Sequence, residues 1–348
     1  YAGRFGAGLP RISDGQLLFT QHLVSKMKPA SDGGSRIAVV HNGSPLFTGD
    51  AGSGESEIRR WLLEKDLLEA IVALPDQIFY NTGINTYLWF LTNKKSKERQ
   101  GKVQLIDARE FYKKARKSLG QKRKDIDEDS KKKIFKLYSE FKETKHSKIF
   151  NTTDFGYRQI TIERPLRLNF QVSPERVEHV KDTKAYMKAT TEEQERLLVA
   201  LAALPEEQLF TNREQFEQVF ADAVAGQKFP APLLKATKDA LSERDESADI
   251  CLDKDGNPEP DNTLKDHENV PLGTDIYEYF EKEVKPYVPD AWINESVVDH
   301  KDGEVGIVGY EIPFTRYFYQ YEPPRPLEEI EADIEAVENE LLTLLKKI

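Results

Sequence analysis

The sequence predicts an α/β fold: a doubly wound, mostly parallel sheet that ends on one reversed strand, followed by a mostly helical C-terminal region. Three observations carry this expectation. Ile37–Val40 and Ala70–Leu74 are short, almost unbroken apolar runs rich in Val and Ile. Half-wet antiparallel strands alternate instead, so these runs read as strands buried on both faces. Between them lies ESEIRRWLLEK, whose Ile58, Trp61 and Leu62 fall three and four apart on one helical face. Strand, helix and strand in that order form a crossover unit, which joins parallel strands. The third run, Thr86–Thr92, follows a loop of about ten residues, too short for a helical crossover, and therefore turns back antiparallel.

On the N-terminal side, Tyr1–Pro10 is Gly-rich and loop-like. Gln16–Met27 has helical spacing through Leu17, Phe19, Leu23, Val24 and Met27, with Pro29 just beyond it. On the C-terminal side, Val103–Asp107 reads as a short strand at the sheet edge. Lys113–Lys148 reads as an exposed charged loop, then a helix through Ile134, Leu137, Tyr138 and Phe141. Phe155–Phe170 alternates as Ile160/Ile162 and Leu166/Leu168/Phe170, split by Pro165, which predicts an edge strand or a bridge. Pro174–Arg244 is mostly helical in pattern, Asp245–Asn269 is acidic and turn-rich, and Asp275–Val284 is a short helix. An aromatic tract, VGYEIPFTRYFYQYEPPRP, leads to the last segment. There Leu327, Ile330, Ile334, Val337, Leu341, Leu344 and Ile348 step by three and four, an a/d seam suited to a partner helix or to the chain's own domain.

At 348 residues the chain suits two or three domains, and its mean hydropathy of −0.61 is that of a soluble protein. No apolar run approaches the roughly 18 residues of a membrane span. The one cysteine, Cys251, excludes an intrachain disulfide and fits a reducing, cytoplasmic setting. No basic-then-apolar leader opens the chain, and Tyr1 in place of Met reads as the start of a fragment. The net charge of −10 is unevenly spread. Residues 1–93 hold 8 Lys/Arg and 9 Asp/Glu, residues 94–148 hold 20 and 9, and residues 149–348 hold 22 and 42. The acidic total argues against a protein coated in nucleic acid, yet it leaves one basic segment free to meet phosphates.

Short motifs add little. Gly49–Ser56 is close to the phosphate loop G-x-x-x-x-G-K-[ST], but Glu55 stands in the lysine position, against the charge such a loop needs. Phe5-Gly6-Ala7-Gly8 lacks the preceding strand of a dinucleotide turn. The six histidines show no metal-ligand spacing, and Asp253–Asn257 reads as an Asp-Gly turn rather than a calcium loop, so no metal is expected. Asp76–Asn85 is more informative. It leaves the sheet through Leu74-Pro75 and carries Phe79 and Tyr80, placed either to stack on a planar ligand beyond a strand end or, for Phe79, to cap the core. Lys113, Lys114, Lys117, Lys122 and Arg123 are candidate phosphate contacts, the alternative being a solvated charged loop.

Four stretches together resemble the modification (M) subunit of type I restriction–modification systems, an adenine-specific DNA methyltransferase. They are residues 36–91 (RIAVVHNGSPLFTGD through NTYLWFL), GKVQLIDAREFYKK, FGYRQITIERPLRL and VGYEIPFTRYFYQYEPPRPLEEIEADI. They occur in the family's order and span most of the chain. The resemblance implies the trailing half of a Rossmann-like, S-adenosylmethionine-dependent methyltransferase sheet in residues 1–112. It further implies a basic loop and helix in 113–150, a mainly helical region in 151–326, and a heptad helix for subunit association in 327–348. It implies DNA, a specificity (S) subunit and a restriction (R) subunit as partners. Phe79, with Tyr80 as the alternative, matches the family aromatic that covers a flipped base. The family's glycine-rich cofactor turn and its Asn-Pro-Pro-Phe motif have no counterpart; Glu322-Pro323-Pro324-Arg325 has Glu where Asn is needed. The chain therefore reads as a C-terminal part of such a subunit, without methyltransferase activity of its own.

Overall fold

A computed structural model describes residues 3–205, 208–319, 321, 323 and 325–345. The chain divides into two compact units, one of residues 1–49, 53–155 and 310–348, the other of residues 50–52 and 156–309.

The first unit is built on a five-stranded sheet. Its elements in order are α1 (Gln16–Val24), β1 (Arg36–His41), a short α2 (Ser44–Phe47), α3 (Gly54–Glu64), β2 (Leu68–Leu74), β3 (Thr86–Thr92) and β4 (Lys102–Asp107). A hairpin of β5 (Lys113–Leu119) and β6 (Lys122–Asp125), then α4 (Glu128–Glu140) and β7 (Ser147–Asn151), complete the run. The strand order is β1-β3-β2-β4-β7. β2 and β4 run parallel, β3 runs antiparallel to both β1 and β2, and β7 is antiparallel to β4. This mixed, Rossmann-like sheet with a reversed strand is the predicted fold class.

Three details differ from the expectation. β1 and β2 point the same way, but the reversed β3 lies between them, so they are not neighbours. A crossover fixes relative direction, and it leaves room for a later strand to pair in the gap. β2 is buried throughout, whereas β1 alternates and leaves Val40 44% exposed. The cause is position: among the described residues nothing pairs with the outer edge of β1. β4 is interior, because β7, which the sequence pattern did not reveal, takes the edge.

The helix α3 starts where Ser53 Oγ accepts from the Ser56 amide at 3.3 Å. Ile58 and Leu62 are fully buried. So is Arg59, whose guanidinium donates to the carbonyls of Pro45, Thr48, Gly49 and Tyr310. A buried charge is tolerable where its donors find acceptors. Ser56 Oγ also accepts from the Tyr310 amide at 3.0 Å, so α3 anchors the returning chain.

Among the described residues, the second unit packs around two cores. β8 (Gly156–Glu163) and β9 (Leu168–Phe170) precede α5 (Pro174–Lys181), α6 (Lys184–Lys188), α7 (Thr191–Ala202), α8 (Arg213–Ala223) and α9 (Ala231–Ala240). Then come β10 (Ser242–Arg244), β11 (Asp266–Pro271), α10 (Ile276–Tyr279), β12 (Trp292–Ile293) and β13 (Ile307–Tyr310). The helices close over Phe170, Leu197, Leu201, Phe216 and Phe220, giving the largely helical region expected. β8 pairs with β11, β12 and β13 around Ile160, Ile162 and Val270. β8 is thus interior rather than an edge: it ends at Glu163, ahead of Pro165, which makes only an isolated bridge to Pro260.

Back in the first unit, Glu311 N donates to Phe155 O at 2.9 Å. The aromatic tract packs there, with Phe314 5.4 Å from Tyr87 and Tyr317 4.2 Å from Phe150, and carries α11 (Phe314–Tyr317). The described chain ends in α12 (Leu327–Leu345).

Candidate functional site

The all-buried β2 stops at Leu74-Pro75, and the chain turns sharply through Gln77, whose φ of 57° is left-handed. Ile78 then packs against the core of Val72, Leu74, Ile106 and Ala108. The core-capping place that the sequence left open for Phe79 is therefore filled by Ile78. Phe79 bridges to Thr82 in a tight turn and stays 37% exposed, with Tyr80 58% exposed beside it. Two large aromatics left in water at a strand end are available for a planar ligand.

The residues expected to form a charged loop form the β5–β6 hairpin instead, and it docks on this aromatic loop backbone to backbone. Gln121 N donates to Tyr80 O at 3.0 Å, and the Arg123 and Lys124 amides both donate to Gln77 O, at 2.9 and 3.2 Å. Lys124 is ion-paired with Asp76 and lies 4.1 Å from the Tyr112 ring centroid. Lys122 pairs with Asp125 at 2.7 Å and lies 5.4 Å from the centre of the Tyr80 ring. Hydrogen bonds to these carboxylates push both ammonium groups above the usual lysine range. Lys113, Lys114, Lys117 and Arg123 are exposed and have no salt-bridge partner among the described residues. Arg116, which the sequence reading passed over, is in the same position. Two separately predicted features, the aromatic pair and the basic stretch, thus come together.

Alongside lies an open cleft of ≈ 750 Å³ lined by Asp76, Gly83, Ile84, Asn85, Asp107 and Arg109. It sits at the carboxyl ends of the parallel strands β2 and β4, where ligands of open α/β sheets bind. Arg109 grips Asp107 through two hydrogen bonds of 2.8 and 2.7 Å. Burial raises the Asp107 carboxyl, but its bonds to Arg109 prevail and hold it below the usual carboxylate range.

The two glycine-rich segments offer no cradle for a cofactor or a nucleotide phosphate. A Cβ at Gly54 would lie 1.8 Å from Leu9 O, and one at Gly8 would lie 2.8 Å from Gly54 O. Arg11 N donates to the Glu55 carboxylate at 2.9 Å, so the N-terminal segment occupies the space in front of α3. These two segments do not fit S-adenosylmethionine. No group of three or more His, Cys, Asp or Glu that could hold a metal occurs among the described residues.

In α12 the predicted seam lies on a formed helix. Leu327, Ile334, Val337, Leu341 and Leu344 are 52–67% exposed and Ile330 is half-buried, while Ile348 falls outside the described residues. Among the described residues, no helix is long and apolar enough to cross a membrane.

Residues 2–163 match the family described as N-6 DNA Methylase. The type I restriction enzyme HindI methylase subunit of Haemophilus influenzae is 35% identical over 108 residues, 31% of this chain and 23% of that protein. The EcoKI methylase subunit of Escherichia coli is 40% identical over 80 residues, 23% of this chain and 14% of that one. The matches thus span less than a quarter of either relative's length. A solved methyltransferase subunit of a type I restriction–modification system from Streptococcus thermophilus is similar over 44% of this chain and 30% of its own, at 26% identity and a TM-score of 0.38. Over its N-terminal region the chain is thus homologous to the methylase subunits of type I restriction enzymes.

Proposed function

We propose that this chain is part of an adenine-specific DNA methyltransferase subunit, and that its loop 76–85 covers one face of an adenine extruded from the duplex. One observation carries the reading. Ile78 fills the core under the loop, which leaves Phe79 and Tyr80 exposed beyond the end of β2. An enzyme that acts on a base in duplex DNA takes it out of the stack and holds it by stacking and hydrogen bonds. Phe79, or Tyr80 beside it, supplies the stacking face, while the hairpin cations Lys113, Lys114, Lys117 and Arg123 meet the DNA backbone. Lys122, held by Asp125, keeps to the Tyr80 ring.

In the intact subunit S-adenosylmethionine supplies the methyl group. The present residues orient the base and exclude water from one of its faces. The free edge of β1 is where further strands of the catalytic sheet pair, and the exposed seam of α12 is where helices of the specificity subunit pack. The complex, including a restriction subunit, works in the cytoplasm.

This 348-residue chain by itself has no methyltransferase activity, because it contains neither the glycine turn nor Asn-Pro-Pro-Phe. The test is methyl incorporation into DNA by the purified chain. Sequence-specific methylation above background would refute the proposal.

A further inference from the structure

The hairpin divides its cations into two sets. Lys122 and Lys124 are spent on Asp125 and Asp76, within the hairpin and between hairpin and loop. Lys113, Lys114, Arg116, Lys117 and Arg123 carry no salt bridge among the described residues and face solvent. A two-stranded hairpin of this composition has little apolar surface with which to hold itself in place. Its attachment is instead to the aromatic loop.

Two backbone features show that the attachment is built in. Gly120 has a φ of 62°, and a Cβ there would stand 2.7 Å from Tyr80 O, so both the turn and the close approach require glycine. Gln77 holds an unfavourable left-handed conformation, and its carbonyl receives two hairpin amides. Such a conformation persists where its surroundings over-determine it.

Resting on the reading above, we propose that the β5–β6 hairpin is a phosphate-gripping arm that sets the position of the stacking loop. Its five cations without a salt bridge, Arg116 included, engage the sugar-phosphate backbone beside the extruded nucleotide. Lys124 and Asp76 are positioning residues: they fasten the arm to the loop and touch neither base nor phosphate. Engagement of the backbone and placement of Phe79 and Tyr80 are thereby coupled through Gln77 and Tyr80 main chain.

The test compares binding of the purified chain to a short duplex with one unpaired adenine and to the same duplex fully paired, across a salt series. Lys124→Gln should lower the preference for the unpaired adenine several-fold and leave the salt slope unchanged. Combined Arg116→Gln and Lys117→Gln should reduce the slope by about 0.9 for each cation removed and keep the preference. The charge-swapped pair Asp76→Lys with Lys124→Asp should restore the preference that either single change loses. If Lys124→Gln lowers the slope and spares the preference, Lys124 is a phosphate contact and the positioning role is overturned. A swapped pair that melts normally without regaining the preference overturns it as well, as does failure to bind either duplex. If Phe79→Ala and Tyr80→Ala keep the preference, it is the stacking reading that fails.

Discussion

The amide of Gln121 donates to the carbonyl of Tyr80 at 3.0 Å, which ties a basic hairpin to the loop that carries the two exposed aromatics. Removing the rings should therefore cost binding without unfolding the sheet. Phe79→Ala in the intact subunit should weaken binding or turnover of DNA with a flippable adenine by about 1–3 kcal/mol, the range for base–aromatic stacking. Unchanged kinetics would make Phe79 a packing residue.

Gly54 is a second pressure point. Its Cα faces Leu9 O so closely that an added Cβ would sit 1.8 Å away, and the obstructing atom is backbone. Gly54→Ala should therefore destabilise the first unit by about 1–3 kcal/mol or more, the scale of overpacking, read as a lowered thermal midpoint. The same geometry predicts that Glu55→Lys, which completes the phosphate-loop motif on paper, produces no ATP binding. Calorimetric detection of ATP by that variant would contradict the assignment of the segment as packed structure.

His41 makes the first unit sensitive to acid. Its ring is buried, 2.8 Å from Thr20 Oγ1 and edge-on to Trp89 at 5.3 Å, and burial lowers its pKa from 6.5 to about 4 against a small opposing effect of Asp14. Between pH 6.5 and about 4 the unfolded chain binds a proton that the folded chain does not. Stability is thus fully present above the unfolded pKa and falls as pH drops through this window, by about 3 kcal/mol at most. Denaturant melts at pH 7 and pH 4.5 should show the loss, and His41→Gln should flatten it. An equal pH dependence in the variant would assign the effect elsewhere.

The terminal helix leads to a third kind of test. Leu341 and Ile334 are 58% and 53% exposed, so a charge at either place disturbs no core of this chain. Leu341→Asp or Ile334→Asp should prevent co-purification with the specificity subunit and leave the melting of the sheet unchanged. Normal assembly would show that the seam serves no partner.

How much of this was legible in the sequence follows from what apolar patterns report. They report burial, and so they found β2, β3, α3 and α4 (Ile134, Leu137 and Tyr138 pack on the sheet core). They do not report neighbours. Nothing in Ile37–Val40 says that β3 will lie between β1 and β2, or that the outer edge of β1 stays open. β7 and the β5–β6 hairpin escaped because SKIFN and KKARKSL have no clear apolar face. The hairpin is held by hydrogen bonds to main-chain atoms of Gln77 and Tyr80, which leave no trace in residue type; Gly120 was the one available signal. The burial of Arg59 has no signal in residue type either: the returning chain at Tyr310 covers it. For the candidate site, the sequence singles out the aromatic pair and most of the exposed cations, but not their adjacency or the Lys124–Asp76 ion pair that joins hairpin and loop.

The central claim is that Phe79 and Tyr80 stack on an extruded purine. Its most direct measurement is the fluorescence of 2-aminopurine placed at an unpaired position in a DNA duplex and titrated with the intact subunit. Stacking on the aromatic pair predicts quenching on binding by the native protein, and a bright signal at equal occupancy with Phe79→Ala/Tyr80→Ala. Equal quenching by the two proteins would contradict the account.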